Sequence, residues 1–160
     1  MTPSGLRQWE YWITGTCDEL CSLADLHVFV LVPHSELPKG KQPLRGKLVC
    51  KHRYDDTGKI VCYKVWYVTK GFAQRQGINY NKTTTPTAHL KSFQTIAHLG
   101  AALNWDLHQF DIKTAFLHGI LPVEETAYME QPFSFKVLGK EDWVMQLLKS
   151  IYGMKQAGHI

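Results

Sequence analysis

Nowhere does the chain run through the roughly 18 consecutive apolar residues of a membrane-spanning helix, so no helical membrane span is expected. The opening residues, Met1 to Arg7, lack the apolar core of a signal peptide. The four cysteines, Cys17, Cys21, Cys50 and Cys62, include no C-x-x-C pair. Cys17 and Cys21 lie four apart and would share a helix face, an arrangement open to a zinc site, although buried thiols are the expectation. Together these absences point to a reducing, intracellular compartment, cytoplasmic or nuclear. Internal repeats and low-complexity segments are missing too, which excludes solenoids and tandem arrays. What remains is ordinary for a folded domain, with 44% hydrophobic and 20% charged residues. Its 160 residues suffice for one modest core.

Acidic residues are also scarce in one region. Residues 39–91 hold twelve of the 18 Lys and Arg but only Asp55 and Asp56 among the acids, a local balance of +10. The rest holds six basic and twelve acidic residues, a balance of −6, so the net +4 averages over two unlike parts. A local excess of that size attracts a polyanion such as nucleic acid or a triphosphate. A solvated basic face without a partner would show the same composition.

Taken in order, residues 6–24 place Trp9, Trp12, Ile13, Leu20 and Leu23 at helical spacing, with Gly15 expected to interrupt the helix. Val28 to Val32 is a strand-like run closed by Pro33. Residues 33–46, with three prolines and two glycines, form a connecting loop. Lys47–Arg53 and Lys59–Thr69 are strand-like runs flanking the turn Asp55-Asp56-Thr57-Gly58, the pattern of a hairpin. In the second run Val61, Tyr63, Val65 and Tyr67 share one face, and Cys62, Lys64, Trp66 and Val68 the other. Basic side chains projecting from such a ribbon reach phosphates, though an exposed sheet face looks the same. After a loop over residues 70–88, Leu90 to Leu103 is the clearest helix, with Phe93, Ile96, Ala97, Gly100, Ala101 and Leu103 as its apolar stripe. Short apolar elements follow at Tyr128–Glu130 and Trp143–Leu148. Helices at the ends of mostly antiparallel strands make the expected class α+β.

The chain is organised around Gln109-Phe110-Asp111-Ile112-Lys113-Thr114-Ala115-Phe116-Leu117-His118-Gly119. Trp105 to Phe110 alternates like a short strand, and the alternation ends at Thr114 to Leu117, where a tight turn or first helical turn is expected. Asp111 would then sit at a strand end beside turn amides. A hard divalent cation carrying a polyphosphate suits that position. A capping or solvated turn residue suits it equally.

Five stretches carry a resemblance: KGFAQRQGINY (Lys70 to Tyr80), LHQFDIKTAFLHG (Leu107 to Gly119), YMEQP (Tyr128 to Pro132), GKEDWV (Gly139 to Val144) and KSIYGMKQAG (Lys149 to Gly158). In series they resemble the reverse transcriptase of copia-type long-terminal-repeat retrotransposons, from about Val30 to Gly158. The resemblance implies a partial right-hand polymerase fold, the fingers and part of the palm over residues 28–160, behind a helical lead-in over residues 1–27. It implies that Asp111 is the first palm aspartate, a ligand for two Mg2+ ions in nucleotidyl transfer from a dNTP to a primer 3′-hydroxyl. Lys113, Thr114 and Ala115 would lie beside the triphosphate, and Phe116 under the sugar, where it rejects a 2′-hydroxyl. Gln156 would stand near the incoming nucleotide. The hairpin would be the fingers, with Lys64 toward the nucleotide and Lys47, Lys51, Arg53 and Lys70 toward nucleic acid. The implied partners are an RNA template, a DNA primer and dNTP.

Departures qualify the resemblance. The Y-V-D-D stretch expected several dozen residues past Gly158 is not in the sequence, which stops at Ile160. Trp66 stands within Lys64-Val65-Trp66-Tyr67-Val68 where the family has the arginine of K-A-R-L-V, and an indole supplies no bidentate phosphate contact. Gln94 likewise replaces an arginine, Ile120 to Ala127 is spaced differently, and His159-Ile160 breaks the expected ending. The expectation is a decayed fragment, inactive alone, or alternatively a non-catalytic, sequence-independent nucleic-acid-binding remnant. Apolar faces around Leu107, Phe110 and Ile151 would be partly bare, with self-association through an exposed palm edge.

Overall fold

The computed structural model describes residues 3–160, with side chains from Gln8 onward; Met1 and Thr2, the start of the expected helical lead-in, lie outside the described residues. The elements run α1 (Pro3–Asp25), β1 (Phe29–Pro33), β2 (Gly46–Tyr54), β3 (Ile60–Thr69), α2 (Leu90–Ala102), β4 (Tyr128–Glu130) and β5 (Trp143–Leu147). The strands form two antiparallel sheets, β1-β5-β4 and the β2-β3 hairpin. Two helices and two antiparallel sheets agree with the α+β reading at that level.

Helix α1 runs through Gly15 without a break, contrary to the expected interruption. The reason is packing. A Cβ at Gly15 would lie 2.8 Å from the Tyr63 carbonyl oxygen and 3.1 Å from Val65 Cγ2, so glycine lets the helix rest directly on β3. Tyr11 stacks on Tyr63, and Trp12 meets both Tyr63 and His52. The helix stops at His27, whose left-handed φ of 52° lets His27 N–H reach Ala24 O and Val28 N–H reach Leu23 O. Leu23 and Val28, both fully buried, add the apolar contact of that C-terminal motif.

One core joins these parts. Leu23 from α1, Tyr67 from the hairpin, Met129 and Met145 from the three-stranded sheet, and Leu117 and Ile151 from the loops bury together. Ile151, expected to be partly bare, is therefore fully covered. The thiols reverse the expectation in the other direction: all four cysteines are exposed. On α1, Thr16, Glu19 and Leu23 take the buried face and leave Cys17 and Cys21 outside.

The hairpin forms as read. Asp55 Oδ1 accepts hydrogen bonds from Thr57 N–H, Thr57 Oγ1 and Lys59 N–H, and Gly58 takes φ +80°. Those donors, the Thr57 hydroxyl foremost, hold the Asp55 carboxyl below its ordinary range.

Two expectations fail in the stretch from α2 to Phe116. The helix forms, but Phe93 and Ile96 from its stripe are exposed, as is Leu103, and Gly100 is its one buried residue. Gly100 is buried by Leu107, which folds back onto the helix. The strand expected over Trp105–Phe110 does not form: these residues and Asp111 lie outside any strand and are exposed. A strand needs a neighbouring edge to complete its ladder, and neither sheet pairs with this stretch. Trp105, Leu107, Phe110 and Ile112 therefore face solvent.

Candidate nucleic-acid and nucleotide site

The clearest chemical feature is the outer face of the hairpin. Its register pairs Lys47 with Val68, Val49 with Trp66, Lys51 with Lys64 and Arg53 with Cys62. Directly opposed residues of an antiparallel pair share a face, so Lys47, Lys51, Arg53 and Lys64 all project from the side away from α1. All four are exposed and no acidic residue shares their face of the hairpin, although Glu19 of α1 lies within electrostatic reach of Lys64. Among the described residues the one ion pair is Arg45–Glu130 at 3.8 Å, outside this face. Lys70 lies just past β3, half-buried, its N–H donated to Arg45 O at 2.9 Å, and so is not part of the cationic row.

The free edge of β3 is closed where it meets the rest of the chain. Tyr67 N–H donates to Glu19 Oε1 at 3.2 Å and Thr69 N–H to Tyr152 O at 2.9 Å. Burial raises the Glu19 carboxyl above its usual range, opposed by the Tyr67 N–H and by Lys64. The Tyr152 phenol is raised by burial and by Glu19.

Asp111 leads into a turn at Lys113 to His118. Thr114 adopts a left-handed φ of 53°, and Leu117 N–H closes the turn on Thr114 O at 2.7 Å. A β-branched residue there is a true outlier, costing on the order of 1–3 kcal/mol. Phe116 leaves the turn with its ring edge-on to Tyr152, centroids 6.1 Å apart, and its carbonyl accepts the Ser150 hydroxyl. The 150–152 segment thus touches both the backbone and the ring of Phe116, which stays exposed.

Gln156 is fully buried. Its Oε1 accepts from Gln74 Nε2 and its Nε2 donates to Asn79 O, both at 2.9 Å. Gln74 Oε1 in turn accepts Lys155 N–H at 2.8 Å, and Lys155 Nζ lies 5.2 Å from the Tyr80 ring. Gln156 therefore ties the 71–80 loop to the 153–157 turn, and its amide is engaged within the protein. Gln74, Asn79, Ser150 and Tyr152 were not singled out from the sequence, although each lies inside a stretch that carried the resemblance. Gln74 and Asn79 meet Gln156 across about eighty positions, and Ser150 meets Phe116 across 34, so neither pairing has a local signal.

The expected residues thus fall into three places: the hairpin face, the Asp111–Phe116 turn, and the buried Gln156 knot. A cavity of about 900 Å³ between α1, the hairpin and residues 130–144 is lined by Lys47 alone among them. Among the described residues no three His, Cys, Asp or Glu side chains come together as a metal site. A single exposed carboxylate at Asp111 does not fit two magnesium ions, because one charge offsets little of the cost of dehydrating them.

The reverse transcriptase (RNA-dependent DNA polymerase) family matches over residues 27–160. The chain is 46% identical over 140 residues to the retrovirus-related Pol polyprotein from transposon TNT 1-94 of Nicotiana tabacum, covering 88% of the chain and 10% of that protein. It is 30% identical over 149 residues to the corresponding polyprotein from transposon RE1 of Arabidopsis thaliana, covering 92% of the chain and 10% of that protein. The chain belongs to the copia-type reverse transcriptase family. It spans about a tenth of the length of these curated relatives. No solved structure matches it. Among the described residues no helix is long and apolar enough to cross a membrane.

Proposed function

We propose that these residues are the fingers and first palm portion of an RNA-directed DNA polymerase, and that by themselves they hold nucleic acid without nucleotidyl transfer. The observation carrying this reading is the acid-free cationic face of the hairpin, with Lys47, Lys51, Arg53 and Lys64 in register. In the complete domain the template is RNA, the primer is DNA and the second substrate is a dNTP. There Asp111 would supply one carboxylate toward a divalent metal, with the Lys113–Ala115 turn beside the triphosphate and Phe116 under the sugar. Lys64 faces the nucleotide and Lys70 extends the nucleic-acid path. Gln156 acts near the nucleotide by fixing Lys155 and the 71–80 loop. Inactivity of these residues alone follows from the solitary position of Asp111, since in-line displacement needs carboxylates that clamp both metal ions.

The test is primer extension by the 160-residue chain on poly(rA) primed with oligo(dT), with magnesium or manganese. No incorporation above a no-protein blank is expected. Incorporation abolished by Asp111→Asn would overturn the second half of the reading and make the chain a polymerase in its own right.

A further inference from the structure

The cationic face of the hairpin has an aromatic centre. Trp66 projects from the same side as Lys47, Lys51, Arg53 and Lys64, opposite Val49 and two residues from Val68. The ring is half-buried, so the sheet holds it while part of the indole stays open. Lys64 Nζ stands 5.9 Å from the ring centroid, the outer limit of a cation–π contact, and does not close that face. From Lys47 to Arg53 the row spans about 20 Å, at roughly 3.3 Å per strand residue.

We propose that this face is a base-stacking subsite for single-stranded nucleic acid, with the Trp66 indole as platform and the four cations as backbone contacts. The occupant follows from two complementarities. Four positive side chains with no acid among them match a polyanion. An indole between cations matches a base whose π-face is free, because every unpaired base stacks regardless of identity while a paired base is already stacked. An anionic protein surface would use the cations and leave the indole unused. The inference rests on the nucleic-acid reading above and narrows it from polyanion binding to unpaired strands.

Fluorescence anisotropy with the 160-residue chain tests it, using labelled dT12, an abasic 12-mer of the same charge, and a 12-bp duplex at low salt. The wild type is expected to bind dT12 at least about fivefold more tightly than the abasic strand, from one stacked base at about 1–3 kcal/mol. Trp66→Ala should bring dT12 down to the abasic level and leave abasic and duplex binding unchanged, which also reports that the variant is folded. Trp66→Phe should keep most of the preference. Equal wild-type affinity for dT12 and the abasic strand overturns the stacking subsite without any variant, and the nucleic-acid reading survives it. Undetectable binding to all three probes overturns the nucleic-acid reading, and the subsite with it.

Discussion

Replacing Gly15 by alanine sets helix propensity directly against packing. In an unpacked helix interior the change gains about 1 kcal/mol. Here the new Cβ would sit 2.8 Å from the Tyr63 carbonyl oxygen and 3.1 Å from Val65 Cγ2. The first contact is backbone in the middle of β3 and cannot rotate away, so α1 must lift. Lifting loosens the Tyr11–Tyr63 stack and stretches the Tyr67 N–H bond to Glu19. Overpacking of that kind costs about 1–3 kcal/mol, enough to reverse the propensity gain. A net loss of up to about 2 kcal/mol is expected, at most a few degrees in melting temperature at this chain length. Urea denaturation followed by far-ultraviolet circular dichroism reads the sign. A Gly15→Ala chain more stable than wild type would refute the close approach of α1 to the hairpin.

Three further outcomes follow from particular contacts. Burial raises the folded Glu19 carboxyl above its usual 4.5, so the stability that comes with its protonation is full below that pH and lost as pH rises through the folded value. Glu19→Gln keeps an oxygen for Tyr67 N–H and should stabilise the chain at pH 7 but not at pH 4; a loss at pH 7 in urea titrations would contradict the burial of that charge. Gln156→Leu strands Gln74 Nε2 and Asn79 O, a cost of about 1–3 kcal/mol for each buried group, and an unchanged urea midpoint would show that the knot does not hold the 71–80 loop. Phe93, Leu107 and Phe110 are 66%, 60% and 87% exposed in one stretch, a surface that favours association; sedimentation should show the chain self-associating and their joint replacement by serine shifting it toward monomer, and a monomeric wild type would count against this.

Local chemistry was legible and long-range pairing was not. The hairpin was readable because its turn residues and alternation are local, and the face assignment of Lys64 and Trp66 followed from a period of two. Helix α2 was legible as a helix for the same reason, yet its stripe misled, since amphipathic spacing says that a face seeks cover and not that the described residues supply it. The same limit undid the strand at Trp105–Phe110, whose alternation is real but whose partner is not in either sheet. Gly15 misled oppositely: read alone it weakens a helix, and only the Tyr63 carbonyl beside it explains its use. For the site, the five stretches pointed to the family, while the joining of Gln74 to Gln156 and of Ser150 to Phe116 came from the fold alone.

The salt dependence of single-strand binding tests the central claim most directly. Four cations on one ribbon face, each neutralising a phosphate, give a slope of log K against log salt of about −3 for a single strand, at about −0.7 per contact. Charge reversal at Lys51 and Lys64, an opposed pair at the middle of the face, should reduce that slope by at least half and weaken all sequences equally. An affinity indifferent to salt, or one that survives the double reversal unchanged, would mean that the hairpin face does not meet nucleic acid.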